Sequence, residues 1–237
     1  MCDTIQLNKY CIEGVKHIGE VHKYMIKAVI FDLDGLLIDS EIISYKIYKE
    51  ILGQFGHDFS IKEYAQNFSG KTGVKNITNL IDTYSLPWTI ETGVKKVLEI
   101  ESKFLAQGVA LKTGAKELLT YLKDKCFKIA IASSSTEDRA LNILKQHNII
   151  EYFDEFVFGH EVENGKPSPD IFLKACDKLS EKPEECLVLE DSEAGVQSAY
   201  SASIPVICIP DMKVPNQCYL DMTKAVLHSL EEVIYYL

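Results

Sequence analysis

Hydrophobic positions follow two different rhythms along this chain. Residues 27–33 (Lys-Ala-Val-Ile-Phe-Asp-Leu) are a short, nearly continuous apolar run, the mark of a strand buried on both faces. From Ser40 to about Gly108 the apolar residues fall at helical spacing: Ile43, Ile47 and Ile51 with Tyr48, Leu52 and Phe55, then Val94, Val97, Leu98 and Leu105. That stretch predicts about four short helices and no strand. After residue 110 the rhythm alternates: helix 114–124, strand 127–132, helix 136–147, strand 155–158, helix 169–179, strand 186–190, helix 193–202, strand 204–209 and a closing helix 229–236. Strand and helix in alternation predict right-handed crossovers and an α/β fold, a doubly wound parallel sheet covered on both faces. The strand at 27–33 has to join that sheet, because alone it leaves its backbone edges unpaired. The chain therefore divides into a core of residues 25–39 and 109–237 and an inserted α-helical cap domain of residues 40–108.

Composition narrows the possible partners. A length of 237 residues allows one good core and a smaller second one, and 46% hydrophobic with 25% charged residues is ordinary for a soluble globular protein. The net charge of −10 argues against a nucleic-acid surface, which needs clustered cations, but leaves room for a small phosphorylated metabolite held in a local pocket. The seven cysteines are odd in number, lack a C-x-x-C pair and lie partly in apolar runs such as Cys186-Leu-Val-Leu189, so they read as buried thiols of a reducing cytoplasm. No apolar run reaches the roughly 18 residues of a membrane span. Residues 1–24 lack the apolar centre of a signal peptide and read as an N-terminal extension with no catalytic role. A monomer is the default expectation.

Chemistry concentrates where the predicted strands end, as it does in doubly wound sheets. The first strand runs into Asp32-Leu-Asp34-Gly35, whose two carboxylates point to the same side while Gly35 permits a sharp turn that exposes backbone groups to a ligand. Such oxygen donors suit Mg²⁺, and one carboxylate of such a pair is able to attack phosphorus while the other handles protons. Strand 127–132 ends in Ser133-Ser134-Ser135 before a helix whose amides attract anions. The segment after strand 155–158 holds Lys166 between a glycine and two prolines, and strand 186–190 ends in Glu190-Asp191-Ser192. Singly, Ser133 reads equally as a helix cap, Lys166 as a surface turn residue, and Glu190 and Asp191 as the acidic start of a helix. Together they supply a nucleophile, a proton carrier, a phosphate hydroxyl, a neutralising cation and metal ligands.

These motifs, Asp32-Leu-Asp34-Gly35, Ala132-Ser133-Ser-Ser, Gly165-Lys166-Pro-Ser-Pro-Asp and Glu190-Asp191-Ser-Glu-Ala-Gly195, closely resemble those of the haloacid dehalogenase superfamily on its phosphatase side. The resemblance covers about residues 26–237 and is nearest to the β-phosphoglucomutase-like group, which pairs a Rossmann-like core with a helical cap. It implies that Asp32 attacks phosphorus to form an aspartyl-phosphate and that Asp34 protonates the leaving oxygen and then activates water. It also implies Mg²⁺ held by Asp32, the Asp34 carbonyl and Asp191, with Glu190 assisting, and a phosphoryl group held by Ser133, Lys166, Gly35 and Ser134.

The helical insert departs from the mutase pattern. The place of a mutase's cap histidine is taken by Ser44, and the cap loop Ser69-Gly70-Lys71-Thr72-Gly73 carries no arginine; the chain's one arginine, Arg139, lies outside the insert. Lysine does not replace a bidentate arginine clamp, so hydrolysis of a sugar or nucleoside phosphate is expected over phosphate transfer within a hexose phosphate. Lys71, Thr72 and Ser44 are the candidate substrate contacts, with packing inside the insert as the other reading of that loop. Gly70-Lys71-Thr72 is not a nucleotide loop, because the required earlier glycine is Ala65 and no strand precedes it. Tyr45, Tyr48, Tyr64, Phe68 and Trp88 either line the pocket or form the core of the insert.

Overall fold

A computed structural model describes residues 25–237; the extension expected at 1–24 lies outside the described residues. Six strands form one parallel sheet in the order β3-β2-β1-β4-β5-β6: β1 (Ala28–Phe31), β2 (Lys128–Ser133), β3 (Glu155–Phe158), β4 (Cys186–Glu190), β5 (Val206–Cys208) and β6 (Ala225–Val226). β1 is central, with Phe31 opposite Ile131 of β2 on one side and Leu189 of β4 on the other. The strand order reverses between β1 and β4, which opens a crevice at their carboxyl ends.

Alternation along each strand sorts side chains between the two faces. Val29, Phe31, Ile129, Ile131, Leu187 and Leu189 pack on one face with Leu118, Leu119 and Leu122 of α5 (Ala115–Asp124) and Ile143 and Leu144 of α6 (Glu137–Gln146). The opposite face carries Ala28, Ala130, Ala132, Cys186 and Cys208 with the larger Ile30, Val157, Val188 and Val206, and packs on α7 (Asp170–Leu179), which brings Phe172, and α8 (Glu193–Ser201).

Between β1 and β2 the chain makes α1 (Ser40–Gln54), α2 (Ile61–Asn67), α3 (Gly73–Tyr84) and α4 (Ile90–Ala106), with no strand among them, as the helical spacing predicts. Their starts are chemically marked: Ser60, Thr72 and Thr89 each accept a backbone N–H with the side chain at the N-cap of α2, α3 and α4. Tyr48, Phe59, Tyr64 and Phe68 form an aromatic centre, with Tyr64 stacked on Phe68 at 6.2 Å and Phe59 edge-on to Phe68 at 5.4 Å. The aromatic residues in question thus build the insert, and Trp88 packs edge-on to Phe55. This apolar cluster runs without a break into the first face of the sheet.

Element ends differ from expectation by about a residue or two, and the C-terminal region differs more. The expected helix 229–236 is a short 3-10 turn at Leu230–Glu232 followed by one turn of α10 (Val233–Tyr236), while α9 (Gln217–Leu220) and the two-residue β6 carry too few residues to show a period. Among the described residues no helix is long and apolar enough to cross a membrane.

Candidate active site

The β1 ladder hands directly over to the site: the Asp32 N–H donates to Leu189 O of β4 at 3.1 Å, fixing this residue beside the β4 end. The chain then turns, with Gly35 N–H donating to Ile38 O and Ile38 N–H to Leu33 O. Gly35 has φ of +86°, and a Cβ there would stand 2.4 Å from Asp191 Oδ2, so only glycine lets the two strand ends close on each other. Among the described residues no backbone N–H of this turn donates to the Asp34 carbonyl, which stays free as an oxygen donor.

Lys166 sits at the centre, its side chain only 7% exposed. Its ammonium donates to Asp32 Oδ1, to Glu190 Oε1 at 2.7 Å and to Ala132 O at 3.1 Å, and lies 4.7 Å from the Phe172 ring centre. The loop carrying it is pinned by the Ser168 N–H donating to Gly165 O and by Ser198 Oγ donating to Ser168 O at 2.6 Å. Glu190 is buried and fully engaged, since Oε2 accepts from the N–H groups of Asp191 and Ser192 at 2.8 and 2.9 Å and from Ser192 Oγ at 3.0 Å. Its carboxylate therefore braces both the lysine and the turn that presents Asp191. Ser192, not Glu190 or Asp191, is the N-cap of α8, and Thr136, not Ser133, is that of α6. Ser133 ends β2, where its Oγ accepts from the Ser135 N–H at 3.1 Å.

The charges are unevenly balanced. Burial, with the Glu190 and Asp34 carboxylates nearby, pushes the Asp32 carboxyl up to about 7 against the opposing pull of Lys166. Burial and the Glu190 and Asp32 charges raise the Asp191 carboxyl well above its ordinary range. Burial works to lower the Lys166 ammonium, but Asp32 and Glu190 outweigh it and hold it above its usual value. Positive charge is thus in short supply around Asp32 and Asp191.

Asp34 has a separate set of partners. Ser135 Oγ donates to Asp34 Oδ2 at 2.7 Å, and the Arg139 guanidinium lies 2.8 Å from Oδ1 and 3.0 Å from Oδ2. Arg139 Nε also donates to Glu101 Oε1 of α4 at 3.0 Å, so one side chain ties the aspartate to the helical insert. Burial opposes charge on Asp34, but Arg139 and the hydrogen bonds from Ser135, Arg139 and Ser40 prevail and hold its carboxyl below the ordinary range.

A cleft of about 180 Å³ gathers these groups; Asp32, Asp34, Ser133, Ser134, Lys166, Glu190 and Asp191 line it from the sheet side, and Glu41, Gly70, Lys71 and Thr72 from the insert. Thr72 caps α3, and Lys71 Nζ donates to Asn67 O at 2.6 Å. Ser44 lies elsewhere, lining a second cavity between α1, α3 and α4. Sequence patterns did not single out Arg139, Ser135, Glu41 or Gly195 as site residues. The one available signal was that Arg139 is the sole arginine, four residues beyond the last serine of the triplet and so one helical turn away. Gly195 matters through space: a Cβ there would fall 1.7 Å from Glu190 Oε1 and 1.8 Å from its Cδ. Gly195→Ala is expected to displace the Glu190 carboxylate, lowering stability by about 1–3 kcal/mol and kcat by about tenfold or more, read by urea unfolding and steady-state assay; unchanged kcat would show that Glu190 does not set the lysine.

The chain belongs to the haloacid dehalogenase-like hydrolase family, whose model matches residues 29–209. A "Phosphorylated carbohydrates phosphatase" of Thermotoga maritima is 32% identical over 179 residues, covering 76% of this chain and 82% of the relative. A "Probable pseudouridine-5'-phosphatase" of Drosophila melanogaster is 32% identical over 196 residues, covering 79% and 83%. Among solved structures, a "putative beta-phosphoglucomutase" from Thermotoga maritima matches with a TM-score of 0.76 at 29% identity, covering 89% of this chain and 98% of that one. Within the family, the chain is a phosphoric monoester hydrolase.

Proposed function

We propose that the protein is a Mg²⁺-dependent phosphatase that hydrolyses a small phosphomonoester, a sugar or nucleoside phosphate, through an aspartyl-phosphate on Asp32. The observation that carries this reading is the single cleft in which Asp32 and Asp34 stand together, with buried Lys166 joining Asp32 to Glu190. Residues 40–108 serve as the cap over that cleft.

The donor set fits a hard cation. The Asp32 and Asp191 carboxylates, which share the cleft, and the Asp34 carbonyl, to which no backbone N–H of the turn donates, would hold the ion, the remaining positions falling to water and substrate. Glu190 accepts from Lys166 through Oε1 and from the Asp191 turn through Oε2, so it braces both and would assist the ion from there. Mg²⁺ supplies the positive charge that Asp32 and Asp191 lack and lets an anionic phosphate approach an anionic nucleophile.

In the first half-reaction an Asp32 oxygen bonds to phosphorus in line with the departing alcohol oxygen, which takes a proton from Asp34 as its bond to phosphorus breaks. Lys166, Ser133 and the amides near Gly35 and Ser134 balance charge on the phosphoryl oxygens. In the second half Asp34 takes a proton from water as the water oxygen bonds to phosphorus and the Asp32–phosphorus bond breaks, leaving inorganic phosphate and the free carboxylate. Arg139 and Ser135 hold Asp34 as the carboxylate that this second half needs. The negative phosphate arriving beside it favours the protonated form that the first half needs.

The likeness to a β-phosphoglucomutase favours a second reading, phosphate transfer within a hexose phosphate. Against it, the insert contains no arginine to clamp a second phosphate, and Arg139 is engaged by Asp34 and Glu101. Glucose 1-phosphate offered with and without a catalytic amount of glucose 1,6-bisphosphate separates the two. Phosphate release independent of the bisphosphate supports hydrolysis, whereas glucose 6-phosphate formed without phosphate release supports transfer. Chelation with EDTA is expected to abolish turnover and added Mg²⁺ to restore it; full activity after exhaustive chelation rejects metal dependence. The buried thiols of Cys176, Cys186 and Cys208 suit a reducing compartment, and we place the enzyme in the cytoplasm, as a monomer.

A further inference from the structure

Asp34 acts twice in the proposed cycle, and each time its carboxyl has to meet an oxygen lying in line with phosphorus. Packing does not fix it there: its side chain is 32% exposed, and hydrogen bonds from Ser135, Arg139 and Ser40 hold it instead. Ser135 Oγ donates to Oδ2 at 2.7 Å while accepting from an Arg139 guanidinium nitrogen, Nη1, at 2.6 Å, and the same Nη1 reaches Oδ2 at 3.0 Å. Two of the three ties therefore depend on where one guanidinium stands.

An arginine side chain is long and rotates about several bonds unless its far end is held. Arg139 rises from the first turn of α6, in the core, and the group that holds its far end belongs to the insert: Glu101 of α4 accepts from Nε at 3.0 Å. Among the described residues Asp34 and Glu101 are the carboxylates paired with Arg139. Nε and Nη1 lie in one rigid plane, so a guanidinium released by Glu101 is free to turn and carries Nη1 away from Asp34 and Ser135 as it does. Beside this bridge the two helices leave a groove of about 420 Å³, lined by Ser102, Leu105 and Ala106 of α4 and by Asn142 and Ile143 of α6, with Arg139 in its wall. The place of α4 against α6 is thus transmitted to Asp34 through one side chain.

We propose that Glu101 is a positioning residue for the reaction: by fixing the Arg139 guanidinium it sets where Asp34 meets the departing alcohol oxygen, so that proton transfer to that oxygen depends on the insert. The inference rests on the phosphatase reading with Asp34 as acid and base, and adds to it a residue 67 positions away that touches neither substrate nor metal.

The test is kcat/KM, which reports the steps through alcohol departure, on the better of ribose 5-phosphate and uridine 5'-monophosphate and on p-nitrophenyl phosphate, whose phenolate leaves without taking a proton. Glu101→Ala is expected to cut the ratio of the alkyl ester to the nitrophenyl ester by about tenfold. Glu101→Gln, whose amide oxygen still accepts from Nε, is expected to keep that ratio within about threefold of wild type. Arg139→Lys leaves a positive charge near Asp34 but lacks the planar fork; it is expected to cut the ratio at least as far, and adding Glu101→Ala to it is expected to cost nothing more. An unchanged ratio in Glu101→Ala, a fall in Glu101→Gln as deep as that in Glu101→Ala, or a further tenfold fall in the double variant overturns the inference and leaves the phosphatase reading standing. So does hydrolysis of p-nitrophenyl phosphate alone, since no departing alkoxide then needs the proton. If the wild-type protein releases phosphate from none of the three esters, the phosphatase reading fails and the inference with it.

Discussion

Asp32→Asn is expected to lower kcat by at least about 10⁴-fold, because an amide supplies no nucleophilic oxygen to phosphorus, and at the same time to make the metal-free protein more stable. The second half follows from the same burial that defines the site. With its carboxyl pushed up to about 7, Asp32 folds most favourably while protonated. Its folded-state value lies above its unfolded value, so the metal-free wild type loses stability as pH rises from the ordinary carboxylate range through about 7. An asparagine is neutral throughout and lacks that slope. Melting in EDTA should show the variant gaining a few degrees over wild type at pH 8 and little at pH 5. Hydrolysis of p-nitrophenyl phosphate at the wild-type rate would rule out Asp32 as nucleophile, whatever the melting curves show.

Lys166→Met is expected to be damaging in both respects. Methionine keeps the length of the side chain and its contact with the Phe172 ring but removes the cation that lies between Asp32 and Glu190. Breaking a buried pair in this way costs about 3–5 kcal/mol, since the carboxylates left behind are desolvated without a partner. Without the lysine the Asp32 carboxyl rises further, so the deficit should widen as pH increases and shrink where Asp32 takes up a proton. Activity should fall by about 10²–10³-fold, the scale for losing one preorganised charge at the transferring phosphoryl group. Urea unfolding in EDTA at pH 5.5 and pH 8, with kcat measured in saturating Mg²⁺, checks each part. A loss below about 1 kcal/mol at both pH values would mean that Lys166 does not carry the charge balance of the site.

The two variants together locate the energetic compromise of this fold. Asp32, Asp191 and Glu190 are brought to adjacent strand ends and buried there, and among the described residues the buried cation between Asp32 and Glu190 is Lys166. A cluster so short of positive charge is a common feature of sites built for transferring charged groups.

Much of this was legible along the chain. Continuous apolar runs ending at Asp32, Ser133 and Glu190 marked β1, β2 and β4, because strands buried on both faces admit polar residues only at their ends. The same transitions placed the carboxylates and hydroxyls at strand ends. Helical periodicity without a strand pointed to residues 40–108 as an insert, and the absence of arginine there argued against a second-phosphate clamp. Local signals depend on neighbours within a few residues, and these elements are defined by such neighbours.

Only the tertiary structure decided what depends on contacts across the chain. Arg139 is a helix residue by sequence, yet it lies on Asp34, 105 positions away, and reaches Glu101 in the insert. Glu190, expected to assist at the metal, hydrogen-bonds Lys166 of a distant loop as well as its own turn, a contact that only the fold makes. Gly35 and Gly195 are required by carboxylates from other segments that occupy the space of their missing Cβ atoms. The two-residue β6 has no period to read and exists because β5 offers it an edge. The Asp-x-Asp pair and its strand-end companions were written in the sequence because local chemistry selects them; their charge balance and their tether to the insert arise from segments that meet only when the chain is folded.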